Sequence, residues 1–388
     1  MVKAPGSHRE VASCPVWWST AARRPLPSHV RQTASPFALT GRTTPRIMPA
    51  DLPDQIRQLA DWFHGAMTRL EALHPPLKEQ LEAVEAQLVR LASAHFPLLR
   101  TAAKHVTCGG GKRVRPAILL LSAAACGRIT HRAIVYAAVV ELLHVASLVH
   151  DDVIDEAARR RGKPSARSRW GNKISVMVGD YLLARSFLRA ATDGEQSLIE
   201  ELAAAATQMC IGQIVELTAQ GPDFSQADYM KMSRAKTASL MGAAARIGAR
   251  VGNGDARAIE MLGRFGMHFG TAFQLADDLL DLIAAEEQVG KPVLEDLRQG
   301  KVTLPLIYVL RTAPPAARAR LRQEITNGQP RIGTVLRITA EYGGIKYARA
   351  AVRRYLANAR KMLLLLPEST ARQALLSACA DAFPLPVV

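Results

Sequence analysis

Cysteine is scarce in this chain: its 388 residues include 5 cysteines, with no CxxC pair and no histidine at the spacing of a zinc site. This scarcity argues against a disulfide framework and a zinc module, and it favours a reducing compartment. Aromatic residues make up only 5% of the sequence, while alanine and leucine are frequent. Such a composition favours helices over strands.

Long apolar runs and alternating patterns are also missing. No run approaches the roughly 18–20 residues of a membrane span, and the longest candidates, Ala117–Cys126 and Met362–Leu366, are typical of core helices. No region alternates with period 2 for the length of a strand, whereas apolar residues recur at helical spacing from Leu52 onward. The sequence therefore predicts an all-α fold of about a dozen helices, with residues 48–388 forming one domain.

Acidic residues are outnumbered by basic ones. The chain has 34 Asp and Glu against 50 Lys and Arg, for a formal net charge of +16. An excess of this size indicates an anionic partner: a nucleic acid, a membrane surface or a phosphorylated substrate. The cations are grouped with glycines and acids rather than interleaved with aromatics, which argues against nucleic acid. A basic surface that only keeps the protein soluble is the alternative.

Residues 1–47 differ in composition from the rest of the chain. They contain six prolines and seven Lys or Arg residues, but a single acid, Glu10. A segment of this composition is not expected to bury a core, so the sequence predicts a disordered, basic, Pro- and Ser-rich extension. An organellar transit peptide is a second interpretation, which implies a mitochondrial location. A true start at Met48 is a third.

Two acidic motifs of the form DDxxD follow apolar segments: Asp151, Asp152 and Asp155, and then Asp277, Asp278 and Asp281. On a helix, residues i and i+4 project from one face, so Asp151 and Asp155 stand together. Crowded carboxylates at the end of an apolar segment need a compensating cation. Magnesium binds through carboxylates together with substrate phosphates. One such motif alone is typical of a solvated helix end, but the second copy favours a metal site.

Clusters of basic residues accompany these acids. Residues 109–116 read GGGKRVRP, in which Lys112 and Arg115 lie about one helical turn apart and can converge on one anion. The segment is not a Walker loop, because the spacing and the final Ser or Thr are missing. Residues 159–163, RRRGK, follow the first acidic motif closely, so that arginines can bind phosphate oxygens while the acids hold metal. A solvated loop and local ion pairing are the respective alternatives.

Several motifs occur in a fixed order: GGKRVRP, HVASLVHDDVID with RRGK after it, GDYLLARSF, KTASL, FQLADDLLD and GKPVLEDLRQGKVTLPLIY. Together they resemble the trans-polyprenyl diphosphate synthases over roughly residues 75 to 370, and among these the long-chain heptaprenyl, octaprenyl and solanesyl members. The resemblance implies a single-domain helical bundle of the isoprenoid synthase type around a deep central cavity. It also implies a homodimer, with a hetero-oligomer as the alternative.

The resemblance further implies a reaction and its residues. Isopentenyl diphosphate is condensed head-to-tail onto an allylic diphosphate, farnesyl or geranylgeranyl, with about three Mg2+ ions per active site. Four residues would bind the isopentenyl diphosphate: Lys112, Arg115, His144 and Arg161. Five would hold the metal on the allylic diphosphate: Asp151, Asp152, Asp155, Asp277 and Asp281. Asp278 completes the catalytic motif, and five more residues would bind the allylic diphosphate: Arg160, Lys236, Lys291, Thr237 and Gln274. Of these five, Lys236 also counts as catalytic, and Lys301 has a supporting role.

Product length is expected to depend on the residues about one turn before Asp151. These are Ala146 and Ser147, whereas short-chain relatives carry bulky aromatics near this level. Small side chains leave room for a growing tail, so the resemblance implies a long product of about C30 to C50, typical of quinone side chains. Close helix packing is the alternative reason for small residues here.

Rival functions have specific weaknesses. A short-chain geranylgeranyl diphosphate synthase is expected to have the bulky floor that Ala146 lacks. A class I terpene cyclase normally mixes Asn or Asp, Ser or Thr, and Glu in its second metal motif, unlike residues 277–281. A non-catalytic regulatory subunit tends to lose acids that are all intact here.

We expect a cytoplasmic enzyme with peripheral membrane contact, because its long apolar product must leave it.

Overall fold

Helices form almost all of the regular structure, as the spacing of apolar residues predicts. The computed structural model describes residues 65, 67–68, 70–218, 221–283, 297, 300–327 and 330–379. These residues contain fourteen α-helices and one short hairpin. The prediction of an all-α fold is confirmed. The proposed extension at residues 1–47 lies outside the described residues.

The helices of the described ranges are α1 (Leu77–Ala92), α2 (Pro97–Thr107), α3 (Val114–Cys126), α4 (His131–Ile154), α5 (Ala166–Asp193), α6 (Gln196–Thr218), α7 (Gln226–Ser233), α8 (Ser239–Val251), α9 (Ala256–Ile283), α10 (Leu304–Thr312), α11 (Pro315–Thr326), α12 (Ile332–Glu341), α13 (Gly344–Leu363) and α14 (Thr370–Ala378). Strands β1 (Arg159–Arg160) and β2 (Lys163–Pro164) form the antiparallel hairpin between α4 and α5. A π-helical turn, Arg234–Ala238, joins α7 to α8.

Helix α4 is enclosed by its neighbours α1, α3, α5 and α8. Its hydroxyl cap, Thr130, accepts a hydrogen bond from the backbone N–H of Ala133 and fixes where the helix begins. Apolar side chains such as Leu142 and Val149 are almost fully buried along it. Because burial on several sides fixes the helix, its C-terminal end presents the first acidic motif at a defined place.

Helix α9 carries the second acidic motif and packs against α8, α13 and the π-helical turn. Phe265, Phe269 and Leu279 are buried on it, and the two phenylalanine rings lie 5.8 Å apart between centroids. The π-helical turn therefore lies against the helix that ends in the second motif. This contact positions the turn's side chains beside that motif.

Two helices are long and apolar enough to cross a membrane by length and composition alone, α4 and α6. The prediction that no segment approaches this length was wrong for these two. In α4, 72% of the apolar window is buried inside the bundle, which explains its composition as that of a core helix. In α6 only 22% is buried, so its apolar residues form an exposed face that needs another explanation.

Candidate active site

The first acidic motif lies where α4 ends. Asp155 caps the helix, and its backbone N–H donates to the carbonyl of Asp151. A helix C-terminus carries partial negative charge, so three carboxylates there are unfavourable without nearby cations. Burial raises the pKa of Asp151, and Lys236 lowers it in part; the carboxylates of Asp155 and Glu216 raise it further. This crowded set of oxygen donors fits a divalent cation.

Asp152 makes a different contact from the other two acids. Its carboxylate is buried and accepts a hydrogen bond from Nε of Arg160 at 2.6 Å. Burial raises the pKa of Asp152, while the ion pair with Arg160 lowers it. Asp151 and Asp155 remain as the pair of carboxylates separated by one helical turn.

A chain of alternating charges extends from the first acidic motif. The ammonium of Lys301 lies 3.5 Å from the carboxylate of Asp155 and 3.8 Å from that of Glu216. Glu216, near the end of α6, accepts a hydrogen bond from Lys236 at 2.5 Å. Burial raises the pKa of Glu216, but Lys236 and Lys301 outweigh it and hold that pKa below its ordinary value. Lys236 and Lys301 therefore lie beside the carboxylates of the first acidic motif and Glu216.

The π-helical turn places Lys236 through a close approach to α6. A Cβ atom at Gly212 would lie 2.5 Å from the backbone nitrogen of Lys236, so the position has room only for glycine. A π-helical turn contains an extra residue, and such turns often occur at functional sites. Here the turn directs Lys236 towards Glu216 and places Thr237 beside α9.

The second acidic motif is connected to this turn by hydrogen bonds. Thr237 donates to the amide oxygen of Gln274 at 2.5 Å, and the Gln274 amide nitrogen donates to Asp278 at 2.6 Å. The hydroxyl of Tyr229, which is fully buried, also donates to Asp278. Asp278 is buried, whereas Asp277 is exposed and Asp281 partly exposed. Each motif therefore has a buried middle carboxylate, Asp152 or Asp278, and a pair of carboxylates one helical turn apart, Asp151 with Asp155 and Asp277 with Asp281.

These contacts bring both acidic motifs to one place. Lys236 acts on the pKa of Asp151 in the first motif, and the next residue, Thr237, leads through Gln274 to the second motif. The site accordingly combines two pairs of carboxylates with two lysines. This combination suits an anion that is bound through divalent metal.

The β1–β2 hairpin brings Arg161 over the glycine-rich segment. Its loop residues Arg161 and Gly162 have φ angles of 50° and 76°, as a two-residue hairpin turn with two positive φ angles requires. The guanidinium of Arg161 donates to the carbonyl of Gly110. Gly111 has a φ angle of 153°, a backbone conformation that residues with a side chain rarely adopt, which explains a glycine there. Lys112 is partly buried in this segment.

Buried cations collect next to the hairpin. Burial lowers the pKa of Arg115, Glu141 opposes this effect, and Arg161 adds to it. Burial and then Arg115 and Arg161 lower the pKa of His144 well below its ordinary value. Glu141, which is 2% exposed, is bound by Arg113 at 2.7 Å. Because one buried carboxylate faces several cations, the cluster has the electrostatics of an anion site.

The protein-family model described as polyprenyl synthetase matches residues 96–342. The chain belongs to the polyprenyl synthetase family. It is 36% identical over 305 residues to an all-trans-nonaprenyl-diphosphate synthase (geranyl-diphosphate specific) of Rhodobacter capsulatus, covering 78% of this chain and 94% of that one. It is also 35% identical over 284 residues to a short chain isoprenyl diphosphate synthase of Methanothermobacter thermautotrophicus, covering 72% and 87%.

A solved structure supports the same assignment. The polyprenyl synthase of Caulobacter crescentus, complexed with calcium and isoprenyl diphosphate, superposes with a TM-score of 0.76 at 31% identity, over 81% of this chain and 97% of that one. The predicted family and the isoprenoid synthase-like fold are thereby confirmed, and with them the assignment as a prenyltransferase. That relative therefore binds a divalent cation together with its isoprenyl diphosphate.

Most predicted site residues lie in these two clusters, and their roles stay predictions. Lys291 lies outside the described residues. Ser147 lies one turn before Asp151 on the same face of α4, and its hydroxyl donates to the carbonyl of His144 at 2.8 Å. Ala146 is 1% exposed and faces the packed side of the helix.

Sequence reasoning missed several residues that organise the synthase site. Glu141 and Glu216 are isolated acids in otherwise apolar helical segments, and this pattern was a usable signal because a buried acid requires a partner. Arg113 has a φ of 47° and links Glu141 to Glu85 of α1. Tyr229 had no local signal, because its partner lies 49 residues away.

His144 is expected to act as a neutral hydrogen-bond donor in the synthase, because burial and its arginine neighbours disfavour the charged ring. We expect His144→Gln, which donates but cannot be protonated, to raise the KM for isopentenyl diphosphate less than about threefold. His144→Ala should raise it about tenfold or more. Steady-state assays between about pH 6 and 8 test this; a Gln variant as impaired as the Ala variant would contradict it.

Proposed function

We propose that this enzyme condenses isopentenyl diphosphate onto farnesyl or geranylgeranyl diphosphate and makes a long all-trans polyprenyl diphosphate of about C30 to C50 for quinone side chains. The observation that carries the proposal is the pair of neighbouring anion sites. One combines Asp151 and Asp155 with Lys236, and the other combines Arg115 with His144. Two diphosphate sites side by side are what a condensation of two diphosphates requires.

The side chains have separate tasks in this proposal. Asp151, Asp155, Asp277 and Asp281 would hold Mg2+, which when bound stabilises the charge on the departing diphosphate. Lys236 adds fixed positive charge on the same group, and Thr237 orients the second motif through Gln274. The arginines around His144 would hold the diphosphate group of isopentenyl diphosphate. The alkene of the same molecule would then face the allylic carbon of the second substrate. Apolar walls would protect the allylic cation from water.

The metal site is proposed to form together with the substrate. Within the described residues, no group of three or more His, Cys, Asp or Glu side chains forms a complete metal site. Each motif offers one pair of carboxylates, and Mg2+ commonly takes one or two carboxylates plus phosphate oxygens. We propose about three ions per active site, the number that the resemblance to the trans-polyprenyl diphosphate synthases implies.

The proposal is tested by incubating the purified protein with labelled isopentenyl diphosphate, each allylic diphosphate in turn, and either Mg2+ or EDTA. Linear polyprenyl diphosphate that forms only with metal supports it. A C20 product points to a short-chain synthase, and a cyclic hydrocarbon points to a terpene cyclase. Absence of turnover with every primer favours a regulatory subunit of a hetero-oligomer.

We propose that the enzyme is a homodimer joined through the exposed apolar face of α5 and α6. The face consists of five large side chains that are 37–60% exposed: Met177, Leu188, Ile211, Ile214 and Leu217. Large apolar side chains that are exposed together on neighbouring helices favour an interaction surface. The two helices pack against each other, so their outer sides form one surface.

Ile214→Asp is expected to convert the dimer into a monomer, because Ile214 is the most exposed of the five side chains and dimerisation would bury the new charge among apolar groups. Sedimentation velocity at micromolar protein measures the change. Leu365→Asp is the matched control, since Leu365 is 50% exposed on a different part of the molecule and should leave the dimer intact. A wild-type monomer, or equal behaviour of both variants, would refute the proposed interface.

We propose that the enzyme is cytoplasmic and contacts membranes peripherally; the net charge of +16 and the apolar product proposed above support the membrane contact. Basic surfaces bind anionic lipid at low ionic strength. In a flotation assay, the protein should rise with vesicles that contain phosphatidylserine and remain behind with neutral vesicles. Failure to float at low salt would count against the proposal.

A further inference from the structure

A concave site lies against the π-helical turn, and none of the six aspartates of the acidic motifs lines it. We call it the α6–α7 groove; its volume is about 480 Å3, and α6, α7, α8, α9 and the turn all contribute to its walls. Ligand sites for small molecules commonly measure about 300–1,000 Å3. The groove is therefore large enough for a small amphiphile.

Positive charge is concentrated in this groove. Among the described residues that line it are three cations and no carboxylate. One of them, Arg246, is bound by Glu201 at 2.7 Å. Lys231 and Arg234 are exposed and make no ion pair within the described part of the chain. Burial and then Arg234 lower the pKa of His268 nearby, which is consistent with a local excess of positive charge.

The remaining walls are small or apolar. Alanines such as Ala204 and Ala227 leave the space open, and Met230 and Met267 provide flexible apolar walls. Gln208 adds a neutral polar group at the side of α6. A ligand that suits this environment has an anionic head that binds Lys231 and Arg234 and an apolar tail that contacts the remaining walls.

The groove shares its wall with the catalytic site. Arg234 and Ala235 of the π-helical turn line the groove, while Lys236 binds Glu216 on the catalytic side. The hydroxyl of Ser239, another lining residue, donates to the carbonyl of Ala235 at 2.6 Å. A ligand that moves Arg234 therefore acts on the same backbone turn that carries Lys236 and Thr237.

We propose that the α6–α7 groove binds an amphiphilic anion, a phosphate or diphosphate ester with an apolar chain, and that its occupancy alters catalysis through the π-helical turn. The binding is independent of the proposed function, whereas the effect on catalysis rests on it. The enzyme's own product belongs to this chemical class, so the groove would let accumulated product change the rate.

Binding is tested by calorimetric titration of octyl phosphate, below its micelle concentration, into the full chain in EDTA. The double variant Lys231→Ala/Arg234→Ala should weaken a binding event by about tenfold or more, because two charged contacts are lost. Ala204→Phe should abolish the same event by filling the groove. Arg264→Ala is the matched control, since Arg264 is an exposed cation of α9 paired with Glu260, and it should bind as the wild type does.

Kinetics test the second half of the proposal. Octyl phosphate at saturating substrate should change kcat in the wild type and in Arg264→Ala, but not in the double variant. If the wild type and the double variant gave the same calorimetric titration, the groove would not be the binding site. A second copy of the chain that covers the groove would give this same result. A groove that binds without any change in kcat would overturn the coupling. A protein without turnover would refute the proposed function and leave the binding result standing.

Discussion

Asp151→Asn is expected to lower kcat about a thousandfold at saturating Mg2+ and substrates. The change keeps the shape of the side chain but removes a charge from a buried site that carries Asp155 and Glu216 as well. Loss of a charged group that stabilises developing charge in a water-poor site commonly costs a factor of about a hundred to a thousand, and a metal ligand belongs at the upper end. The measurement is the initial rate of isopentenyl diphosphate incorporation.

The same charge change far from the site provides the control. Asp223→Asn removes an exposed carboxylate that pairs with Arg322 at 2.7 Å, and it should leave kcat within about twofold, because exposed ion pairs contribute little. If Asp151→Asn kept more than a tenth of wild-type activity while folding normally, Asp151 would not be a ligand of the essential metal.

Ala146→Tyr is expected to shorten the product by several isoprene units. Ala146 is 1% exposed and lies a little more than one turn before Asp151. Because Ala146 faces the packed side of the helix, we expect an aromatic ring there to push neighbouring side chains into the space that the growing tail needs. Overpacking costs about 1–3 kcal/mol of stability, which a domain of this size is expected to tolerate. Mass spectrometry of products from farnesyl and isopentenyl diphosphates provides the readout.

Two further variants give this prediction its controls. Ala146→Ser changes the volume very little and should keep the wild-type chain length. Ser147→Tyr, at a partly exposed position on the face of Asp151, should shorten the product without overpacking the core. Unchanged chain length in both Tyr variants would show that product length is set elsewhere and that small residues here serve helix packing.

Local spacing explains why so much of the site could be predicted from the sequence. Two carboxylates at i and i+4 share a helix face wherever that helix lies, so Asp151 and Asp155 could be paired without a structure. The helical fold follows equally from periodicity, because an apolar stripe must be buried against other helices. The GGGKRVRP segment at residues 109–116 was recognisable because glycines and cations at this spacing suit an anion.

The partner of each carboxylate in the two motifs could not be predicted, because it depends on contacts between residues that are distant in the sequence. Asp152 and Asp278 look the same as their neighbours in the sequence, but one is bound by Arg160 and the other by Tyr229. Whether a helix face is covered also depends on tertiary packing: α4 and α6 are both long apolar helices, but 72% of the apolar window is buried in α4 and only 22% in α6.

The most direct test of the central claim is a crystal structure of the protein with Mn2+ and farnesyl thiodiphosphate, a substrate analogue that resists ionisation. The claim is that both acidic motifs hold one diphosphate through metal. Anomalous peaks are expected about 2.0–2.2 Å from carboxylate oxygens of Asp151 and Asp155 and of the second motif, with the diphosphate between them. Metal bound at one motif only, or a diphosphate held without metal, would contradict the claim.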